Sequence, residues 1–184
     1  MMVNVGEADA LVSGHSRSYP SVVKPMLQLV DKAPGASIVA TANIMMTKRG
    51  PMFFSDTAIN INPSADDLAK IALMTAKTAR MFGVEPVIAM VSYSNFGSST
   101  NPSAGKVREA VAYLHENYPD LCIDGEIQAD FALNPEMLKA KFPFSKLADK
   151  KVNTLVFPNL ESAKITCNLL KELEKVESIM RIML

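Results

Sequence analysis

Two short stretches hold the side chains best suited to chemistry. Residues 92–99, SYSNFGSS, set Ser92, Ser94, Ser98 and Ser99 around Asn95 and Gly97. The hydroxyls and backbone N–H groups of such a loop can meet a phosphate, and the same composition also makes a tight polar turn. Residues 124–130, DGEIQAD, alternate Asp124, Glu126, Gln128 and Asp130 with small or apolar residues. On an extended strand those four share one face. That density of acid is costly to bury without partners, so it reads as hydrogen bonding that orders a cleft in preference to a magnesium site, for which nothing fixes the ligand count. No metal ligand set is assigned.

Other chemistry is less well marked. His15, Ser16, Arg17 and Ser18 cluster, and Lys24 precedes Pro25 at what reads as a helix start, where an anion can be held; an exposed solvated loop is the alternative. Asp56 and Asn60, an even number of positions apart, share a strand face that lines a cleft or meets solvent. No serine is tied to a histidine and a carboxylate, the chain has only two histidines, and no glycine-rich nucleotide fingerprint or Walker loop is present.

These residues need elements to position them. Ser64 with Asp67 three residues on resembles a capping box, and Asp66 and Asp67 suit a first turn. Leu68, Ile71, Ala72, Thr75, Ala79 and Phe82 then recur at helical spacing until Gly83 and Pro86. Val87 to Val91 is an apolar run that reads as a strand covered on both faces, so the serine loop follows a strand's carboxyl end. In open α/β sheets that is where ligands sit. Upstream, residues 2–30 read as a strand end, a loop and a helix, and DKAPGAS, residues 31–37, as a linker and lobe boundary. Ile38–Thr47 and Met52–Ile61 read as an antiparallel hairpin or a nearby strand pair, separated by Lys48, Arg49, Gly50 and Pro51. Downstream, Ser103 caps a helix ending near Pro119 with His115 in its last turn, and Leu121–Ile123 begin a strand. Asn134 and Pro135 open a short helix, and Val152–Phe157 form a strand. Asn159 opens a final helix with Ile165, Leu169, Leu170, Leu173 and Val176 inward. Strand and helix in alternation predict an α/β fold with a mostly parallel sheet.

Composition narrows the classes. Lys plus Arg and Asp plus Glu each number 19 among 184 residues, so no net field points to nucleic acid or an anionic membrane. No apolar run approaches the roughly 18 residues of a membrane span, and the start has no signal-peptide pattern. A cytoplasmic protein is expected. Cys122 and Cys167 lie in apolar segments and read as buried reduced thiols.

Taken together, GEADALVSG, KPMLQLV, SDTAININPSADDLAKIA, AKTARMFGVEPVIAMVSYSNFGSS, KVREAV, PDLCIDGEIQAD and FPNLESAKIT resemble the phosphate acetyl/butyryltransferase family nearly end to end. TKRGPMFFSDTAIN, SYSNFGSS and DGEIQADFAL look closer to the family-type domain at the carboxyl end of bacterial NADP-dependent malic enzymes. The resemblance implies a two-lobed, three-layer α/β/α architecture of the isocitrate/isopropylmalate dehydrogenase type. Residues 1–35 would end the first lobe, 36–176 form the inserted second lobe, and 177–184 start the return. It implies acyl transfer between phosphate and coenzyme A by thiol attack on an acyl phosphate, in a cleft between the lobes, and a homodimer through the second lobe.

Three departures bear on activity. The family's Ser-Arg pair and following aspartate belong to a segment beyond residue 184, which marks a fragment. Lys24 stands where the family has arginine, and an ammonium does not reproduce a bidentate grip on phosphate. Lys164 replaces an asparagine, and SIMRIML departs from the family's pattern. Whether the chain is an enzyme is left open. The leading expectation is a regulatory module that binds acetyl-CoA, attached to a malic enzyme catalytic domain; the alternatives are part of an active phosphate acetyltransferase and a truncated product with neither role. The ligands implied are acetyl-CoA, CoA, acetyl phosphate and phosphate, with no other cofactor, nucleic acid or membrane. The site residues are Ser92, Ser94, Gly97 and Ser98 in the loop, Asp124, Glu126 and Gln128 on the neighbouring strand, and Ser13, Gly14 and Lys24 from the first lobe.

Overall fold

Lys48 and Arg49 turn the chain back on itself between Thr47 and Gly50, which face each other in the pairing of β1 (Thr41–Thr47) with β2 (Gly50–Ser55). Gly50 takes a φ of +101°, open to a residue without Cβ. The Thr47 hydroxyl donates to the Gly50 carbonyl at 2.9 Å and accepts the Arg49 N–H at 3.1 Å, which closes the expected hairpin.

The computed structural model describes residues 2–3, 5–9, 11, 19–30, 32 and 36–184, in two compact units, Met1–Ile38 and Val39–Leu184. Ser13, Gly14 and the His15–Ser18 cluster lie outside the described residues. Among its described residues the first unit holds one helix, α1 (Tyr19–Leu29). Lys24 is exposed in its interior and not at its start, because the helix begins five residues earlier and tolerates Pro25 within it.

The second unit is a mixed α/β fold. α2 (Ala65–Met81) connects β2 to β3 (Ile88–Val91), and α3 (Pro102–Asn117) connects β3 to β4 (Ile123–Ile127). Two short helices, α4 (Ala129–Leu133) and α5 (Pro135–Lys141), lead to β5 (Thr154–Val156). α6 (Leu160–Leu173) then precedes β6 (Glu177–Met183). The sheet order is β4-β3-β5-β2-β1-β6: β4, β3, β5 and β2 are parallel, and β1 is antiparallel to both its neighbours.

Phe53 and Phe54, consecutive on β2, point to opposite faces and define two cores. Phe54, Ala89, Val91, Ile127 and Leu155 pack with Ala132, Leu138, Ala163 and Cys167 from α4, α5 and α6. Phe53 and Ile44 pack with Ala79 of α2. Helices therefore flank both faces of the sheet.

The helix ends follow the side chains available. Ser64 accepts the Asp67 N–H at 3.1 Å while Asp67 accepts the Ser64 N–H at 3.0 Å, the reciprocal box expected. Phe82, placed on the apolar stripe by spacing, is instead the C-cap of α2 and 49% exposed. α3 is capped by Asn101, not Ser103, since Pro102 fills the first helical position, where its missing N–H costs nothing. Asn134 and Asn159 cap α5 and α6 as expected.

α6 departs from its expected orientation. Ala163 and Cys167 are buried and Leu170 and Val176 half-buried, whereas Ile165, Leu169 and Leu173 are exposed. The sequence carries apolar residues around more than one face of this helix, and only the small face fits against the sheet. No helix among the described residues is long and apolar enough to cross a membrane.

Candidate functional site

The connections fix where a crevice lies. From β3 the chain moves outward through α3 to β4, whereas from β5 it leaves through α6 toward the opposite edge. The carboxyl ends of β3 and β5, adjacent in the sheet, therefore flank the switch point at which open α/β sheets take ligands. The serine loop follows β3 there.

β4 holds this loop in place. Its pairing with β3 slips between Met90 and Val91, so Gly125 and Ile127 face those two residues and Glu126 is the extra one. Gly125 has a φ of +148°, and a Cβ there would lie 2.5 Å from the Met90 carbonyl oxygen, so only glycine lets the strands meet. Glu126 is 0% exposed. Its Oε1 accepts the Ser94 hydroxyl at 2.9 Å, the Gly97 N–H at 2.8 Å and Arg108 Nη1 at 3.3 Å, while Oε2 is buried without a hydrogen-bond partner. The Glu126 carbonyl also accepts the Phe96 N–H at 2.8 Å.

Gln128 ties the other side of the loop. Its side chain accepts from Asn95 Nδ2 at 2.9 Å and donates to the Tyr93 carbonyl at 2.6 Å, and its N–H donates to Asn95 Oδ1 at 2.8 Å. Within the loop, Ser94 and Ser98 share a hydroxyl contact at 2.9 Å, and Ser94 Oγ accepts the Ser99 N–H. Ser92 Oγ accepts the Ser94 N–H, Ser98 Oγ the Asn95 N–H, and the Asn95 carbonyl the Ser98 N–H. Every N–H from Ser94 to Ser99 is thus donated inside the protein, and what the loop offers a ligand is its hydroxyls and its exposed Gly97–Ser98 tip.

Ser92, Ser94, Gly97, Ser98, Glu126 and Gln128 are therefore brought together, but Asp124 and Asp130 are not. The bulge at Glu126 breaks the strand's alternation, and α4 begins at Ala129, so Asp130 sits in a helical first turn. Asp124 Oδ2 accepts the Ser145 hydroxyl and the Lys146 N–H, both at 2.8 Å, and Oδ1 lies 3.8 Å from His115 Nε2. None of these partners hydrogen-bonds to the Glu126 side chain. Asp56 does not line a strand face either: β2 ends at Ser55, and Asp56, buried, accepts from Thr41, Ala58 and Asn60 to fix the turn that follows.

Three contributors escaped the sequence reading. Arg108 reaches Glu126 and, at 3.4 Å, the Ser99 carbonyl, from a helix position that spacing marks only as polar. Lys106 donates to Asn62 Oδ1 at 2.6 Å and the Pro63 carbonyl at 3.0 Å, joining the loop after β2 to α3; burial lowers its pKa. Phe142–Ser145 form a turn closed by the Ser145 N–H to the Phe142 carbonyl at 3.0 Å, and KFPFSK carries the Pro signal that marks it.

Comparison with known proteins places this arrangement. The family profile described as phosphate acetyl/butaryl transferase matches residues 1–184. This chain belongs to that family. It is 41% identical over 174 residues to the NADP-dependent malic enzyme of Escherichia coli (strain K12), which covers 93% of the chain and 22% of the enzyme. To the phosphate acetyltransferase of Thermoanaerobacterium thermosaccharolyticum it is 39% identical, over 97% of the chain and 56% of the enzyme. A crystal structure of a phosphotransacetylase from Streptococcus pyogenes superposes with a TM-score of 0.90 at 40% identity, covering 99% of the chain and 56% of that protein. The phosphate acetyl/butaryl transferase chain thus spans about a fifth of the malic enzyme and just over half of the acetyltransferase.

Proposed function

We propose that this phosphate acetyl/butaryl transferase-type domain binds acetyl-CoA as a regulatory module, in the manner of the carboxyl-terminal part of an NADP-dependent malic enzyme. The observation that supports it best is the locked serine loop at the switch point. Its conformation is held by Glu126 and Gln128 before any ligand arrives, so little ordering entropy opposes binding. Glu126, the buried carboxylate of the site, is engaged in positioning the loop through the Ser94 hydroxyl and the Gly97 N–H. Ser92, Ser94, Gly97 and Ser98 are the ligand-loop residues of this reading, with Glu126 and Gln128 fixing them. The reading includes a two-lobed isocitrate/isopropylmalate dehydrogenase-like architecture, a homodimer through the second lobe, a malic enzyme catalytic domain as partner, and a cytoplasmic location.

The competing reading, part of an active phosphate acetyltransferase, draws on the similarity to the Thermoanaerobacterium enzyme. One experiment separates them: calorimetric titration of acetyl-CoA into the purified chain, beside an assay for acetyl phosphate formed from acetyl-CoA and phosphate. Binding without turnover is expected. Turnover favours the acetyltransferase, and absence of binding overturns the regulatory proposal.

A further inference from the structure

Asn43 on β1 is 1% exposed, and its Nδ2 is buried without a hydrogen-bond partner. A buried donor left unpaired is a standing cost to the fold. Its Oδ1 accepts Arg181 Nε at 2.9 Å from β6, where Arg181 stands directly opposite in the antiparallel register. That bond fixes which end of the amide is oxygen, so the unpaired end is the donor. Cys167, whose sulfur is only a weak acceptor, adjoins the amide from α6.

α6 brings a second cation to the same place. Lys164 lies three positions before Cys167 and shares its helix face. Burial, and then the Arg181 charge, hold the Lys164 pKa below its ordinary value, and Lys171 adds to the effect. No carboxylate among the described residues forms an ion pair with Lys164. Three costs therefore meet on the α6 side of β1 and β6: an unpaired amide, two like charges near each other, and an ammonium partly stripped of water. One bound anion relieves all three. Arg181 is half-buried and Lys164 exposed, so the cluster opens to solvent on the Lys164 side.

This cluster stands apart from the serine loop, because β1 is three strands from β3, roughly 14 Å across the sheet. Both cations also fall where the sequence departs from the family's pattern, at Lys164 and in SIMRIML, so their pairing belongs to this chain. We propose that Asn43, Arg181 and Lys164 form a binding site for a small carboxylate, independent of the acetyl-CoA reading. The unpaired amide calls for an oxygen acceptor, and a carboxylate has one oxygen for Asn43 and another for the Lys164 ammonium. As a monoanion it also sheds its water more readily than a dianion such as sulfate, which matters where the donor is itself buried.

Acetate is the probe, with chloride at equal ionic strength as the reference. In isotope-labelled protein, acetate is expected to move the Asn43 side-chain amide resonances saturably and to raise the melting temperature beyond chloride. Lys164→Gln is expected to weaken acetate binding about tenfold. Its melting temperature without acetate should equal or exceed that of wild type, since one of two like charges is gone. Amide resonances that ignore acetate, or that respond equally in wild type and Lys164→Gln, overturn the site. Sulfate binding more tightly than acetate overturns the assignment to a carboxylate. Acetyl-CoA affinity is expected to be the same in both proteins, and a loss in Lys164→Gln overturns the independence of the two sites.

Discussion

The Gly97 N–H and Glu126 Oε1 lie 2.8 Å apart, joining residues 29 positions distant in sequence, and the loop after β3 takes its shape from that bond. Glu126→Ala removes the acceptor shared by the Gly97 N–H and the buried Ser94 hydroxyl and empties a fully buried position. Loss of such a hydrogen-bonded carboxylate costs about 1–3 kcal/mol, so a loss of several degrees in melting temperature is expected. Glu126→Gln keeps a carbonyl for Gly97 and should lose less. Hydrogen exchange at the Gly97 amide provides the local check: it should rise in the alanine variant well before the sheet opens.

Gly125→Ala is expected to be the more damaging substitution. The added Cβ would meet the Met90 carbonyl oxygen at 2.5 Å, on backbone at a φ of +148°. Neither strand can yield without breaking the β3–β4 pairing, so a loss of at least ~3 kcal/mol is expected in urea denaturation. Near-wild-type stability would mean that the bulge relaxes freely.

The capping box of α2 carries a pH dependence whose sign follows from its geometry. Hydrogen bonds from the Ser64 hydroxyl and then its N–H hold the Asp67 carboxyl below the ordinary value of 3.8. A depressed folded-state pKa stabilises above the unfolded value and loses that contribution as pH falls through the folded one. Wild type and Asp67→Asn should therefore differ most above about pH 4 and converge in more acid solution. Ser64→Ala should cost about 1 kcal/mol at neutral pH. A difference that grows on acidification would contradict the cap.

The two thiols should be separable by reactivity. Cys167 is buried, and that burial pushes its pKa up, so it stays protonated at neutral pH. Cys122 is part-exposed with Lys150 Nζ 3.2 Å from its sulfur. Iodoacetamide is expected to label Cys122 in the native protein and Cys167 only on unfolding; early labelling of Cys167 would show that α6 lifts from the sheet.

What could be read before the fold was known divides along physical lines. The Ser64–Asp67 box, the Lys48–Arg49 turn and the buried run at β3 depend on neighbours within a few residues, and local sequence reports them. The serine loop was legible as a loop for the same reason. Its hydrogen bonding was not, because the acceptors that consume its N–H groups come partly from β4, some thirty residues away. Asp124 and Glu126 look equivalent at a spacing of two, and one bulge sends them to separate tasks. α6 shows the remaining limit: periodicity reveals that a helix has apolar faces, but the sheet decides which one it covers.

The place of β5 in the sheet governs how this unit can be assembled. Three residues, Thr154–Val156, hydrogen-bond to β2 on one side and β3 on the other, and among the described residues no other strand joins the β4-β3 half to the β2-β1-β6 half. On a ribosome, the hairpin, α2, β3, α3 and β4 all emerge before that splice exists. Two partial sheets with raw edges must wait for it, and the unit becomes cooperative only once the chain has been made past residue 156. Nascent chains arrested before Thr154 should remain protease-sensitive and dependent on chaperones, whereas those arrested with β5 clear of the exit tunnel should not.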